Sequence, residues 1–132
     1  MNHRVLEHTA DLYIEGYGKT FEEALEGVAE GMFKHMGKAK KEKESFECEF
    51  SSSEVGELIV GLLSKILSEC EAEGFIPKKM KVLEYDKKNG KMRVKVFGEK
   101  GLLSNVIKAV TYHLFGIEEK KGEIKIRVLF DI

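Results

Sequence analysis

Residues 20–37 read TFEEALEGVAEGMFKHMG. Phe21, Ala24, Leu25, Val28, Ala29, Met32, Phe33 and Met36 fall on the i, i+3, i+4 template without a miss, which predicts an amphipathic helix. Thr20 opens it as N-cap, with Glu23 at the third helical position completing a capping box. Gly37 stops it. Met32 and Met36 could line a soft-metal or partner groove, but core packing accounts for both at this spacing.

Further along, a second stripe of the same form runs through Val55, Leu58, Ile59, Leu62, Leu63, Ile66, Leu67 and Cys70, with Ser51, Ser52 and Ser53 as its expected cap. Between the two helices, Lys38–Glu44 (KAKKEKE) is a charged linker, to be read as a solvated loop or a docking patch. Strands are expected at 3–6, 12–17 and 45–50. Gly74 and Pro77 break the chain, and 79–86 with 91–98 make a hairpin about Asn89-Gly90. Leu102, Leu103, Val106, Ile107 and Val110 suit a short third helix. Residues 112–117 and 123–130 then pair across EEKKG. Clustered strands interrupted by helices predict an α+β fold in a single domain, residues 1–132. Its mixed or antiparallel sheet carries two long amphipathic helices and one short helix.

With 132 residues, 42% hydrophobic and 34% charged, the chain can bury a core without staples. Its 22 basic and 23 acidic residues leave a net charge of −1, which argues against a protein whose main work is gripping nucleic acid. Any RNA contact is expected to be local or through a partner. Cys48 and Cys70 have neither CxxC nor zinc-finger spacing, so free thiols are expected. No apolar run reaches membrane-spanning length and no leader opens the chain, which points to a cytoplasmic protein.

The P-loop, the Rossmann glycine fingerprint, HExxH and the nucleophile elbow are all missing, and Gly16–Thr20 (GYGKT) lacks Walker spacing. The remaining chemistry lies in acids and histidines. Asp11, Asp131 and the main-chain carboxylate of Ile132, if that is the native end, are oxygen donors of the kind hard cations need. Along the last strand Ile124, Ile126, Val128 and Phe130 share one face, so Asp131 points away from the core row. From spacing alone it is either a ligand or an exposed aspartate at a frayed end. His8 and His113 are ligands, acid–base groups or ordinary half-buried histidines. Lys108, Thr111, Tyr112 and His113 form a donor-rich cluster that lines an anion or partner site, or merely joins two elements.

Three motifs resemble one family, the archeases: His8-Thr9-Ala10-Asp11 followed by the Gly18-x-Thr20-x-Glu22-Glu23-Ala24 helix entry, then Lys108-Ala109-Val110-Thr111-Tyr112-His113, and the terminal Asp131-Ile132. Their order is specific, and they span residues 8 to 132. Val106 departs from the family pattern, which often has a glutamate there, and so does the absence of tryptophan before the last strand. The resemblance implies an accessory protein of the RtcB-type tRNA-splicing RNA ligase that promotes its guanylylation and multiple turnover. It implies RNA contact only through the ligase. It also implies a divalent metal, Ca²⁺ above all with Mg²⁺ or Mn²⁺ as substitutes, on Asp11, Asp131 and Ile132. His8, Lys108, Tyr112 and His113 are expected close by. The alternatives are a general chaperone or assembly modulator, and a stand-alone metal-dependent hydrolase, which the missing nucleophile and nucleotide loop disfavour.

Overall fold

The computed structural model describes residues 2–6 and 11–132. The chain runs β1 (His3–Leu6), β2 (Asp11–Gly18), α1 (Phe21–Lys34), β3 (Glu44–Ser51), α2 (Val55–Glu73), β4 (Phe75–Asp86), β5 (Lys91–Lys100), β6 (Ala109–Lys120) and β7 (Glu123–Asp131). The expected α+β class holds, with two corrections to its detail. The strands form two sheets rather than one, ordered β1-β2-β7-β6 and β3-β5-β4, and every pairing is antiparallel. The third helix does not form: residues 101–108 are an irregular connection.

That connection explains its own apolar spacing. Asn105 takes φ 58°, which no right-handed helix accommodates. The Ser104 amide donates to the Met36 carbonyl at 2.9 Å, and its hydroxyl donates to the His35 carbonyl at 2.6 Å. Ile107 is buried and Leu103 packs on the core, so the apolar side chains anchor a loop to the end of α1.

The two long helices form where the stripes place them. Thr20 Oγ1 accepts from the Glu23 amide at 3.1 Å, while Glu23 Oε2 reaches back one residue beyond the usual capping-box partner, to the Lys19 amide. The serines do not cap α2. Glu54 does, its carboxylate accepting from Gly56 and Glu57 at 2.9 and 2.7 Å, and an acid there also suits the positive end of the helix. Gly74 ends α2 in the left-handed conformation. Pro77 does not break the chain. It lies within β4 at a register shift, on an edge strand where its missing N–H is tolerated.

Both helices touch strands of both sheets, so the core is shared: Ile14, Val128 and Phe130 from one sheet, Met80, Met92 and Val94 from the other, with Phe33, Leu63 and Ile66 between. Cys48 and Cys70 are free and buried, and burial pushes the Cys70 thiol up to about 12. Both hairpins form. The loop at 87–90 is held by Asp86, which accepts from the Asn89 amide and side chain. Lys121 and Gly122, both at positive φ, make the tight turn from β6 to β7. Among the described residues no helix is long and apolar enough to cross a membrane.

The charged linker is pinned at its middle. Glu99 Oε2 accepts from the Lys40 and Lys41 amides at 2.6 and 3.0 Å, and these bonds hold the Glu99 carboxyl below its ordinary 4.5. A carboxyl with a depressed folded pKa contributes stability that is complete above the unfolded value and is lost as pH falls through the folded one. Urea unfolding from pH 7 down to pH 3 is therefore expected to show a shallower acid loss in Glu99→Gln than in the parent. Parallel pH profiles would refute this account of the linker.

Candidate metal and partner site

Strand β2 alternates, with Leu12, Ile14 and Gly16 inward and Asp11, Tyr13 and Glu15 on the opposite face. Strand β7 does the same, with Arg127, Leu129 and Asp131 on that opposite face. The antiparallel register then pairs Glu15 with Arg127, Tyr13 with Leu129 and Asp11 with Asp131. Directly opposed residues project from the same face with Cβ atoms about 5 Å apart. Two aspartates from opposite ends of the sequence thus meet at one end of a sheet. Asp11 is half-buried, and Asp131 and Ile132 are exposed.

Asp131 is also the register partner of Ala109 on β6, and its carbonyl accepts from the Lys108 amide at 2.8 Å. The Lys108 main chain is therefore beside the acid pair. Tyr112 and His113 lie a few residues further, where the β6–β7 register is interrupted between Thr111 and Gly116. Both are exposed on this irregular stretch. His8 falls outside the described residues. Thr111 is spent on structure, its hydroxyl donating to the Leu129 carbonyl at 3.0 Å. Thr20 likewise serves α1, its hydroxyl accepting from the Glu23 amide.

Two features of this face were not singled out from the sequence. The first is Tyr13, whose hydroxyl donates to the Leu114 carbonyl at 2.6 Å and holds the irregular stretch against the sheet. Leu114 has φ 58°, a strained value for a bulky residue. Burial pushes the Tyr13 phenol up. The second is the buried carboxylate of Glu15, bonded to Arg127 Nε at 2.7 Å and to Arg4 Nε at 2.9 Å. Alternation along β2 carries both on the Asp11 face, which is the one signal in the sequence that points to them.

The donor set of two carboxylates suits a hard cation, and a divalent ion would offset the two formal charges the register sets side by side. Among the described residues no three His, Cys, Asp or Glu side chains converge into a metal cluster.

Residues 3–132 match the sequence profile of the archease protein family. The Thermococcus kodakarensis archease is 37% identical over 121 residues, covering 86% of this chain and 85% of that protein. The Danio rerio archease is 32% identical, covering 96% and 83%. Among solved structures, the solution structure of Methanobacterium thermoautotrophicum protein 1598 superposes with a TM-score of 0.83 at 27% identity, covering 98% of each chain. The crystal structure of a Thermotoga maritima archease, described as a possible chaperone, shares the fold with a TM-score of 0.67 at 24% identity.

Proposed function

The chain belongs to the archease family, and from that premise we propose that it is a non-catalytic accessory protein of an RtcB-type RNA ligase, promoting the ligase's guanylylation and repeated turnover. The observation that carries the reading is the direct pairing of Asp11 with Asp131, which gathers the family's acid motifs at one exposed sheet end. Together with the Ile132 carboxylate, these residues would hold a divalent cation, Ca²⁺ first. Such an ion, when bound, supplies positive charge where phosphate oxygens are being rearranged. The protein's own part is positional. Tyr13 fixes the Leu114 turn, and Tyr112 and His113 just before it are exposed, where a partner can reach them.

The test is ligation by the cognate ligase, held limiting against RNA, with and without this protein. Faster formation of the ligase–GMP adduct and many turnovers per ligase are expected, with the gain lost in Asp11→Asn and Asp131→Asn variants that still fold. Equal turnover with and without the protein would overturn the reading. Suppressed aggregation of several unrelated unfolded clients would then favour the chaperone alternative.

A further inference from the structure

The outward face of the three-stranded sheet gathers three lysines near one aromatic ring. Met92, Val94 and Val96 of β5 are buried, so Arg93, Lys95 and Phe97 face outward. Register sets Lys81 of β4 directly opposite Lys95, and Lys79 directly opposite Phe97. Like charges directly opposite one another on a sheet are unfavourable. The neighbour placed to relieve Lys95 is Glu47, its partner on β3, but that carboxylate is drawn to Arg93 at 3.0 Å. Among the described residues, no carboxylate lies within ion-pair distance of Lys81 or Lys95, and Lys79 reaches Glu42 only at 4.0 Å.

The aromatic ring in this patch completes a pattern. Lys95 Nζ and Lys79 Nζ stand 5.4 and 5.7 Å from the centroid of Phe97, which is half-buried in the sheet. Same-face residues are spaced about 7 Å along a strand and about 4.8 Å between strands. The surface around the ring therefore carries three ammonium groups, with Glu47 beside Lys95 and Glu49 and Glu84 further along the same face, level with Arg93. Glu99, next on this face of β5, pins the Lys40–Lys41 backbone and brings the basic linker to the edge of this surface.

We propose that this face binds a single-stranded polynucleotide, with Phe97 stacking a base and Lys79, Lys81 and Lys95 contacting flanking phosphates. Ammonium groups beside an aromatic ring at a sheet surface are one way proteins hold unpaired strands without reading sequence. An acidic peptide would use the lysines and leave the ring idle. A membrane surface would call for a protruding apolar anchor, and Phe97 is set into the sheet. The net charge of −1 keeps the contact short and salt-sensitive. The inference stands apart from the ligase reading, because it can be measured with no ligase present.

The experiment is fluorescence anisotropy of a labelled oligoribonucleotide of about 12 nucleotides, titrated with the full chain across a salt series. Three phosphate contacts predict a slope of log K against log salt near −2. The Lys81→Gln/Lys95→Gln double variant is expected to weaken binding about tenfold or more at low salt and to flatten the slope by about 1.4. Its thermal midpoint is expected to be equal or higher, since the like-charge pair is gone. Phe97→Leu is expected to weaken binding about fivefold or more with the slope unchanged. A deoxyoligonucleotide arm tells which polynucleotide is read: equal affinity means bases and phosphates suffice, and RNA preference adds a 2′-hydroxyl contact. Absence of binding at low salt, or binding that both variants leave intact, would overturn the proposal. So would competition by polyglutamate or anionic vesicles as effective as unlabelled oligonucleotide at equal charge.

Discussion

The parent protein is expected to gain stability when calcium is added, and Asp131→Asn is expected to abolish that gain. A ligand that binds only the folded state stabilises it by about 2.7 kcal/mol when present at about 100 times its Kd. For a chain of this size that corresponds to roughly 10 °C in thermal midpoint. The acid pair forms only when β2 and β7 are in register, so the unfolded chain has no equivalent site. In the parent, the midpoint should rise with calcium and fall back with chelator. In Asp131→Asn and in Asp11→Asn it should stay near the chelated value in both conditions. With chelator present, Asp131→Asn should be no less stable than the parent, because one of two opposed negative charges has been removed. An equal calcium response in parent and variants would remove the acid pair as the site. This measurement needs no ligase, so it separates cation binding from the accessory role.

Much of the fold is legible in residue patterns because helices and hairpins write their signals locally. The stripe from Phe21 to Met36 and its Thr20 cap, the turn at Asn89-Gly90, and the alternation from Ile124 to Phe130 all appear where their spacing puts them. What failed was what depends on distant partners. Leu102 to Val110 has helical spacing, but Ser104 bonds to the end of α1 and Asn105 turns the backbone left-handed. The serines before α2 have the right chemistry for a cap, yet Glu54 sits one residue closer to the helix and takes its amides. The division into two sheets follows from pairing choices among strands that look alike in sequence. The site divides in the same way. Which face Asp131 occupies follows from alternation, but its partnership with Asp11, 120 positions away, is a matter of register. The path of the chain through Tyr112 and His113 is set by the register break and by the hydrogen bond from Tyr13 to Leu114, neither of which any spacing rule encodes.

Glycine is the residue that pattern reading undervalues most here, and it supplies the other large expected effect. Gly16→Ala is expected to cost about 3 kcal/mol, at the upper end of what overpacking does to a close-packed interior. Strand β2 lies so close to α1 at this point that a Cβ on Gly16 would stand 2.1 Å from the Ala24 carbonyl oxygen and 2.6 Å from the Val28 nitrogen. Both are helix backbone, so no rotamer change relieves the clash, and the helix has to move off the sheet. Gly27 on the facing side of α1 leaves equally little room, since a Cβ there would meet the Asn2 carbonyl oxygen at 2.1 Å. Lifting α1 would also unseat Leu25, Val28 and Met32, which are fully buried. The internal control is Gly116→Ala, on the irregular part of β6, where an added Cβ meets nothing within 4 Å and the backbone has no positive φ. That change is expected to be neutral or to stabilise by a few tenths of a kcal/mol through the unfolded chain. Urea titration at constant slope distinguishes them: the midpoint falls sharply for Gly16→Ala and holds or rises for Gly116→Ala. Equal midpoints for the two would mean that α1 is not seated on β2 as closely as these distances state.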